Sequence, residues 1–405
     1  MHVVVAGAGI VGVASAIWLQ RAGHSVTLVD RQAPGQATSF GNAGVLAAGS
    51  IIPVTVPGLL RKAPKMLFDP NQPLFLRWSY LPRLLPFLAR YLRHTKSEDV
   101  RHYALNMAHL LGDSVDQHLS LADGTGAEKF VAQNDYCFGY ATEAAHKADG
   151  WTWDLRREAG VSFTAMSGRE YSKIDPLFEG QFHTVVAGHN HGMIRDPGAY
   201  VGALADHFVA EGGTFVEADI QDVQDQTLHT SQGKIGGDTV LLCLGPWSGD
   251  LSRKLGLRQL SFEAERGYHI ELVNPSDAPV NPMMIAAGKF VITPMNGRIR
   301  AAGVVEFGGL KLGPSAAPVQ LLKRQVKALI PSVTYERVDT WMGHRPAPAD
   351  SLPLLGAVQD KTYVAYGHQH VGLTGGAKTG RVLAQMIEGQ RPNFDTAPFD
   401  PMRYA

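Results

Sequence analysis

The chain begins with a short apolar run, after which the spacing of the apolar positions changes. Residues 2–6 form a largely β-branched run that is typical of a buried parallel strand. Apolar residues then recur at helical spacing until about Ala22, and Gly23 is a common helix terminator. The helical stripe consists of Ile10, Val13, Ala14, Ile17 and Trp18. A second apolar run, 25–29, leads into Asp30, so the pattern predicts a strand–helix–strand unit.

Later patterns predict both helices and strands. Asp196 and Pro197 suit the cap and first position of a helix that continues through a stripe ending at Val209. The stretch 238–245 reads as a buried strand that turns into a helix, and 266–307 alternates in the manner of antiparallel strands. Residues 318–330 form an amphipathic helical pattern, and strand–turn–strand–helix follows from about 336. The fold class is therefore α/β, with a Rossmann-type unit and a unit built on a mixed, largely antiparallel β-sheet.

Composition narrows the class of protein. A chain of 405 residues, 45% hydrophobic and 18% charged, is typical of a soluble globular protein of two to three domains. Its formal net charge of zero gives no electrostatic reason to expect nucleic acid. Cys137 and Cys243 are too few for a disulfide scaffold and fit a reducing compartment. With neither a leader nor a membrane-spanning helix in the pattern, we expect a cytoplasmic protein.

The first turn carries a dinucleotide-binding motif. Gly7, Gly9 and Gly12 give G-x-G-x-x-G between the predicted strand and helix. These glycines allow a tight turn, backbone approach to a pyrophosphate and close helix packing, while the helix N-terminus attracts phosphate. Asp30 can accept a hydrogen bond from a ribose hydroxyl and disfavours NADP. The motif predicts a dinucleotide but does not decide between FAD and NAD.

Three further blocks resemble a known family. "ATSFGNAG" (37–44), "GHRPAPADSLPLLG" (343–356) and "GHQHVGLTGG" (367–376) resemble the signature blocks of the D-amino-acid-oxidase superfamily of FAD enzymes, and most of all its D-amino-acid dehydrogenase group. The resemblance runs in order from residue 2 to about 390. It implies an FAD-binding domain made of 1–50, 190–258 and 336–405, and a substrate domain made of 51–189 and 259–335.

The same resemblance implies where FAD binds. The helix that starts in the last block would direct its N–H groups at the N1 and C2 carbonyl edge of the flavin, where the reduced ring carries negative charge. No cysteine lies in that block, so the FAD is expected to be non-covalent. The expected FAD-binding residues are Gly7, Gly9, Ile10, Val11, Gly12, Asp30, Arg31, Thr38, Ser39, Asn42, Ala43, Gly44, Gly245, Gly372, Leu373 and Thr374.

Four side chains are candidates for the chemistry. Arg345 precedes a proline, which favours extended backbone, and the resemblance implies that its guanidinium binds the substrate carboxylate. Tyr268, in "RGYH", is either a second carboxylate donor, a gate, or a sheet tyrosine. His368 and His370 are expected beside the flavin, where one of them could accept a proton from the substrate amine.

A second histidine pair raises the alternative of a metal site. His189 and His191 repeat the His-x-His spacing about 180 residues before His368 and His370, and alternate residues on a strand share one face. However, they fall in a predicted loop, and no acidic or cysteine ligand lies nearby at metal spacing. We therefore predict no metal.

One segment differs from the rest in charge. Residues 51–96 contain eight lysines and arginines and one acid, Asp69, so their net charge is 8 − 1 = +7, with aromatic residues interleaved. This composition suits contact with a membrane surface, and it equally suits helices packed on the protein's own core. The family that the chain resembles is typically peripheral on the inner face of the membrane, which implies such a position as one of two alternatives that both stay open.

The function implied is the FAD-dependent oxidative deamination of a D-amino acid, with hydride transfer from Cα to flavin N5 and electrons passed to a quinone or another acceptor than oxygen. A cyclic D-imino acid such as D-proline or D-hydroxyproline is an alternative substrate. Two other functions stay open: an oxygen-using amine oxidase of the sarcosine or glycine type, and a flavoprotein subunit of an electron-transfer complex without its own substrate.

Overall fold

The chain folds around two large β-sheets, one mainly parallel and one mainly antiparallel. The computed structural model describes residues 1–59, 69 and 72–405. In chain order, the strands in these residues are β1 (His2–Ala6), β2 (Ser25–Asp30), β3 (Val45–Leu46), β4 (Leu74–Leu76), β5 (Val131–Tyr140), β6 (Phe163–Ser167), β7 (Thr184–Ile194), β8 (Thr214–Glu217), β9 (Ile220–Gln224), β10 (Thr227–Thr230), β11 (Gly233–Gly236), β12 (Thr239–Leu242), β13 (Phe262–Val273), β14 (Met283–Ile285), β15 (Phe290–Met295), β16 (Arg298–Phe307), β17 (Arg337–Pro348), β18 (Leu354–Gln359) and β19 (Thr362–Tyr366). The α-helices described are α1 (Ile10–Arg21), α2 (Leu81–Tyr91), α3 (Ser97–Leu111), α4 (Ser114–Ala122), α5 (Glu143–Ala148), α6 (Gly150–Glu158), α7 (Gly168–Tyr171), α8 (Pro197–Ala210), α9 (Ser248–Lys254), α10 (Ala316–Leu329) and α11 (Gly372–Ile387).

The first sheet has the order β18-β19-β12-β1-β2-β8. Its strands pair in parallel except for the edge strand β18, which is antiparallel to β19. Val3 and Val5 of β1 pack with apolar residues of α1, α8 and α11, whereas Val4 and Ala6 pack on the opposite side. Cover on both faces explains why β1 is an unbroken apolar run, and it confirms the predicted Rossmann-type unit.

The second sheet has the order β17-β13-β16-β15-β14-β5-β7-β3, with β4 added beside β16 and β6 beside β7. The pairs β14–β5 and β16–β4 are parallel and the others are antiparallel. Ile270 and Leu272 of β13 pack against Leu322 and Val326 of α10 on one face. The mixed, largely antiparallel sheet predicted from the alternation of 266–307 is confirmed.

The loop at 38–42 crosses from the first sheet onto the face of the second sheet that lies opposite α10. The Thr38 hydroxyl donates to the carbonyl of His344 over 2.8 Å, and Arg300 Nη1 donates to the carbonyl of Phe40 over 2.9 Å. The His269 ring lies 3.0 Å from the Gly41 carbonyl and stacks on Trp341. This loop therefore fixes the face of the second sheet that carries β13 and β17 against the nucleotide-binding unit.

Several predicted elements agree with the structure and one does not. Asp196 caps α8, its Oδ1 accepting from the Ala199 N–H over 3.1 Å, as its position before Pro197 predicts. The loop predicted around His189 and His191 is wrong, because both lie in β7. That strand is held by β5 on one side and β6 on the other, and these long-range partners outweigh the local glycines.

The predicted domain division differs from the sheets at β3, β7 and β17. β3 belongs to the second sheet although it falls within 1–50, and the predicted boundary at 189/190 divides β7. β17 belongs to the second sheet, where it pairs with β13 along its whole length. The predicted boundary at 335/336 would assign it to the FAD-binding domain. β17 thus links the two predicted units, since it carries Arg345 and leads into the last strands of the first sheet.

The basic segment at 51–96 is described in part. Residues 60–68, 70 and 71 lie outside the described residues, and among them are three of its basic side chains. In α2, Leu84, Phe87 and Tyr91 are buried against the second sheet, while Leu85 is 53% exposed. Helix α2 therefore packs on the protein's own core. Contact between the basic segment and a membrane stays a prediction. No helix in the described ranges has the length and apolar character needed to cross a bilayer.

Helices α1 and α11 cross in close backbone contact. A Cβ on Gly380 would lie 2.6 Å from the Ala14 carbonyl carbon, and one on Gly376 would lie 2.8 Å from an Ile10 side-chain carbon. Since Cβ atoms essentially never approach so closely, these glycines set the distance between the helices. Both helices begin at the predicted cofactor site, so their spacing also sets its width.

Replacement of Gly380 with alanine tests this contact. We expect Gly380→Ala to lower the free energy of unfolding by about 1–3 kcal/mol, because α1 and α11 must move apart. The matched control is Gly202→Ala in α8, where a Cβ meets nothing within 4 Å. That change should stabilise the protein by about 0.4–1 kcal/mol. Urea unfolding of both variants measures the difference, and equal effects of the two changes would contradict the close contact.

Candidate active site

A cavity of about 520 Å³ opens at the carboxyl ends of the parallel strands. Its walls include the turn after β1, Asp30 at the end of β2, Leu244 just after β12 and Tyr366 at the end of β19. Ligands of open parallel sheets bind at this edge, where the turns leave space between the strand ends. The cavity thus lies where the G-x-G-x-x-G motif requires a dinucleotide.

Two of the three motif glycines, Gly7 and Gly12, are required by close backbone contacts. Gly7 has a φ of 105°, and a Cβ there would lie 2.4 Å from the Cys243 carbonyl oxygen. A Cβ on Gly12 would lie 1.7 Å from the Gly7 carbonyl oxygen. Gly9 begins α1 without a side-chain cap, and no acidic residue follows in the first turn. The positive end of α1 therefore faces the cavity and suits a phosphate group.

Asp30 is held at the edge of this cavity by backbone donors. Its Oδ2 accepts from the Ala8 N–H over 2.7 Å and its Oδ1 accepts from the Gln32 N–H over 3.1 Å. Burial raises the pKa of this carboxyl, while the backbone donors act in the opposite direction. The carboxylate is thus fixed in orientation and keeps lone pairs free for a ribose hydroxyl, as its spacing from Gly12 predicts.

The structure places eleven of the sixteen expected cofactor residues in the cavity wall. These are Gly9, Ile10, Val11, Asp30, Arg31, Thr38, Ser39, Asn42, Gly245, Gly372 and Leu373. Gly7 and Gly12 act behind the wall through the backbone contacts. Ala43, Gly44 and Thr374 are not among the residues that line it, and their contact with FAD stays a prediction.

Gln369 stands in the middle of "GHQH" but was not among the expected cofactor residues. It lines the cavity, is 4% exposed, and adopts a left-handed φ of 49°. Its side-chain oxygen and nitrogen are both buried without a hydrogen-bond partner among the described residues. Unpaired buried amide atoms are costly, which indicates that a polar ligand pairs with them. The cavity therefore fits the polar groups of FAD.

Trp247 also lines the cavity and was not predicted. The Arg31 guanidinium carbon lies 4.1 Å from the centre of the Trp247 ring, so the two side chains form one wall. The sequence signal was the stretch "GPWSG" after β12, in which only Gly245 was selected.

The start of α11 is tied to the rest of the site by side chains. The Thr374 hydroxyl donates to the Val45 carbonyl over 3.0 Å and accepts from the Ala47 N–H over 3.3 Å. His118 lies 2.8 Å from the Leu373 carbonyl and 2.9 Å from the Tyr200 hydroxyl. These contacts fix the first turn of α11 beside the strand at 45–46, at the place where the flavin edge is expected.

His368 and His370 lie close to the expected cofactor but differ in their surroundings. His368 lines the cavity, and its Nε2 lies 2.9 Å from the Thr379 hydroxyl. His370 lies near Arg345, and burial together with that positive charge lowers its pKa to about 4. Burial alone lowers the pKa of His368 to about 4. The lowered pKa makes both rings neutral and weakly basic at pH 7, and the acceptance of the substrate proton by one of them stays a prediction.

The other histidine pair has structural partners. His189 bonds to Asp135 and Thr164, and the His191 ring accepts from the Gly49 N–H over 2.9 Å. Within the described residues, no group of three His, Cys, Asp or Glu side chains could hold a metal ion. The two histidine pairs therefore do not meet in one cluster.

Arg345 lies in β17 with its guanidinium flat against the neighbouring strand. A Cβ on Gly267 of β13 would lie 2.7 Å from Arg345 Nη2 and 2.8 Å from Cζ, so a side chain at this position would displace the guanidinium from its place. Burial lowers the pKa of the guanidinium, although the residue as a whole keeps a partly exposed surface. No described residue forms a hydrogen bond or ion pair with it. Its donors are thus available to a ligand.

Tyr268 does not lie with Arg345. Arg345 is opposite Glu265 in the β13–β17 register, whereas Tyr268 is opposite Met342, which places the two side chains on different faces of the sheet. The Tyr268 hydroxyl donates to Glu306 over 2.7 Å and accepts from the Ser315 N–H over 2.9 Å. The structure therefore does not bring Tyr268 to the carboxylate-binding position expected for it.

Cys243 lines the cavity, and Cys137 lies in the core of the second sheet. Both thiols are unpaired and buried, and burial raises the pKa of each, to about 12 for Cys137. Cys243 packs with the apolar residues around α1, so it belongs to the core although it also reaches the cavity.

Replacement of Gln369 tests the fit of the cofactor. Gln369→Gly suits the left-handed backbone and removes the unpaired amide, so the apoprotein should lose no more than about 1 kcal/mol of unfolding free energy. The dissociation constant of FAD should rise about threefold to tenfold, as one hydrogen bond is lost. Gln226→Gly is the control, since Gln226 has a φ of 55° but lies away from the cavity. Equal FAD affinity in both variants would exclude contact between Gln369 and FAD.

The sequence is similar to one protein family and to known relatives along nearly its whole length. Residues 2–386 match the family model described as FAD dependent oxidoreductase. A protein named D-amino-acid oxidase from Bradyrhizobium diazoefficiens is 37% identical, over 100% of this chain and 99% of the relative. A second relative, from Agrobacterium fabrum and named D-amino acid dehydrogenase, is 31% identical over 100% of both chains.

The fold is similar to that of solved flavoenzymes. Glycine oxidase from Geobacillus kaustophilus superposes with a TM-score of 0.74 over 99% of this chain and 98% of that chain, at 21% sequence identity. L-proline dehydrogenase from P. horikoshii superposes with a TM-score of 0.71 over 100% of this chain and 97% of that chain, at 16% identity. These likenesses concern the fold, whereas the match to the family model extends over nearly the whole sequence. The chain belongs to the family of FAD-dependent oxidoreductases.

Proposed function

We propose that this enzyme oxidises the Cα–N bond of a D-amino acid and that Arg345 binds the substrate carboxylate. The observation that carries the proposal is the guanidinium of Arg345, which is deep in the protein yet has no hydrogen-bond partner among the described residues. The class of substrate is supported by the names of full-length relatives, a D-amino-acid oxidase and several D-amino acid dehydrogenases.

The environment of Arg345 suits one anionic group. A guanidinium presents two parallel donors that match a carboxylate, and this pairing is stronger where water is scarce. His370 beside it is neutral, so Arg345 supplies the positive charge at this point of the site. Fixing the carboxylate restricts the rotation of the substrate and holds its Cα–H bond in one direction, which lowers the entropic part of the barrier.

When bound, FAD would be the oxidant and would accept the hydride from Cα. The chain's own part is to hold the cofactor through Gly9, Asp30, Ser39 and Gln369, and to hold the substrate through Arg345. The resulting imine hydrolyses to a 2-oxo acid and an ammonium ion. A cyclic substrate such as D-proline would instead give a pyrroline, which keeps its ring nitrogen.

Two electron acceptors are candidates. We infer that the acceptor is a quinone or another compound than oxygen, in line with the relatives named D-amino acid dehydrogenase. A quinone acceptor would also suit the predicted contact of the basic segment 51–96 with the inner face of the membrane. Oxygen is the second candidate, and the relative named D-amino-acid oxidase, at 37% identity, favours it. Both candidates share the same oxidation of the substrate.

Anaerobic mixing of the yellow holoenzyme with D- and L-amino acids, cyclic imino acids and N-methyl glycine tests the substrate class. We expect a D-amino or D-imino acid to bleach the flavin absorbance near 450 nm, with its L-enantiomer as the matched control. Bleaching by glycine or N-methyl glycine alone would support the amine-oxidase function. A protein that none of these compounds bleaches would contradict the proposed substrate class and favour the role of an electron-transfer subunit.

Reoxidation of the reduced protein then separates the acceptors. A dehydrogenase should be reoxidised by a soluble quinone and only slowly by air, whereas an oxidase consumes oxygen and forms peroxide.

Removal of the guanidinium tests the role of Arg345. In Arg345→Met we expect KM for the D-amino acid to rise by about a hundredfold or more, because the carboxylate loses its paired charge in a buried site. FAD should stay bound. The control is Arg337→Met on the same strand, where the side chain is 56% exposed and paired with Asp339. An unchanged KM in Arg345→Met would exclude carboxylate binding by this residue.

A further inference from the structure

A buried carboxyl group lies directly across the strand pair from Arg345. Glu265 of β13 is opposite Arg345 of β17 in the register, so their side chains project from the same face of the sheet. Glu265 is 2% exposed. The two side chains are not joined by a hydrogen bond or an ion pair in the described residues, yet their charges interact. The sequence indicated nothing special at Glu265, because its importance depends on this pairing.

Two features hold the guanidinium of Arg345 in place. Gly267 lets it lie against the backbone of β13, because a Cβ there would be 2.7 Å from Nη2. The carboxyl of Glu265, one step along the same face, attracts it towards β13. The fork of donors is thereby kept in one orientation although no hydrogen bond of its own fixes it.

The charged and titratable groups around Glu265 come from several elements. Arg345 of β17 favours its ionised form, and Glu263, two residues away on β13, opposes it. The hydroxyl of Tyr91, from α2, faces the carboxyl, and Tyr103 of α3 lies next to Tyr91. Burial, the largest influence, raises the pKa of Glu265 to about 7. Arg345 is the one positive charge among these groups.

We propose that Glu265 is a positioning residue for Arg345, and that its carboxyl takes up one proton from solvent when a substrate carboxylate binds to Arg345. The proposal rests on the proposed function, because it requires Arg345 to be the carboxylate-binding group. It adds a second residue to the site and couples substrate binding to pH.

The direction of the coupling follows from the charges. Without ligand, the positive charge of Arg345 favours the ionised carboxyl of Glu265. A bound carboxylate neutralises that charge and adds a negative one nearby, so the pKa of Glu265 rises and a proton binds. Binding is therefore tightest at a pH where Glu265 is already protonated, and weakens as the pH rises above 7. One linked proton corresponds to about a tenfold rise in the dissociation constant per pH unit.

The test uses the FAD-loaded enzyme and propionate, which has the carboxylate of an amino acid but no amine. Binding is followed by the change in flavin absorbance between pH 6 and pH 9, with propionamide as the uncharged match. For the unmodified enzyme we expect the dissociation constant of propionate to rise by up to about tenfold per pH unit above pH 7. In Glu265→Gln it should stay within about twofold over this range. The same slope in Glu265→Gln and in the unmodified enzyme would overturn the proposal.

Two further variants separate this proposal from the proposed function. Glu263→Gln is the matched control on the same face. In this variant the dissociation constant of propionate should rise with the same slope but from a lower pH, because Glu263 raises the pKa of Glu265. Arg345→Met should not bind propionate at any pH. If Arg345→Met binds propionate normally, the proposed function fails. If it does not, but Glu265→Gln keeps the slope, only the role of Glu265 fails.

A measurement on the unmodified enzyme does not depend on any variant folding. Propionate is mixed with the holoenzyme at pH 7.5 in weak buffer containing a pH indicator dye. We expect uptake of a measurable fraction of one proton per bound propionate and none with propionamide. No uptake, or release, would overturn the proposal.

Discussion

The hydrogen bonds between the loop at 38–42 and the second sheet hold the two halves of the active site together. Arg300 is central to them, since it is 1% exposed, donates to the Phe40 carbonyl, and is held by Glu271 through Nε and Nη2 at 2.9 and 2.8 Å. A buried guanidinium is tolerated only when its donors are paired, and loss of one partner costs several kcal/mol. Ser39 and Asn42 of the same loop line the cofactor cavity. The position of β17 relative to the cofactor thus depends on a few buried charges and carbonyls.

The parts of the fold that sequence predicted well are those with local signals. The β1–α1–β2 unit and the cap of α8 were found because glycine, aspartate and proline act on the nearest few residues. His189 and His191 were assigned to a loop because β5 and β6, which make their segment a strand, are distant in sequence. A single sequence does not show such partners.

The same limit applies to the site. Arg345 was found through its block, and most of the expected cofactor residues line the cavity. The side on which Tyr268 lies depends on its register with β17, which no local pattern gives. Gln369 stood within a recognised motif, but its unpaired amide is visible only once the cavity has walls. Local chemistry therefore predicted which segments form the site, and long-range pairing decided which side chains enter it.

The buried thiol of Cys243 has a consequence for the durability of the enzyme. Peroxide reacts with thiolates and hardly at all with thiols, and burial keeps this sulfur protonated although it borders the cofactor cavity. Cys137 is shielded in the same way by the second sheet. If the reduced flavin passed electrons to oxygen, peroxide would form beside a protonated Cys243 thiol, which it oxidises only slowly. The two cysteines are thus poor targets for peroxide formed at the cofactor, whichever acceptor normally takes the electrons.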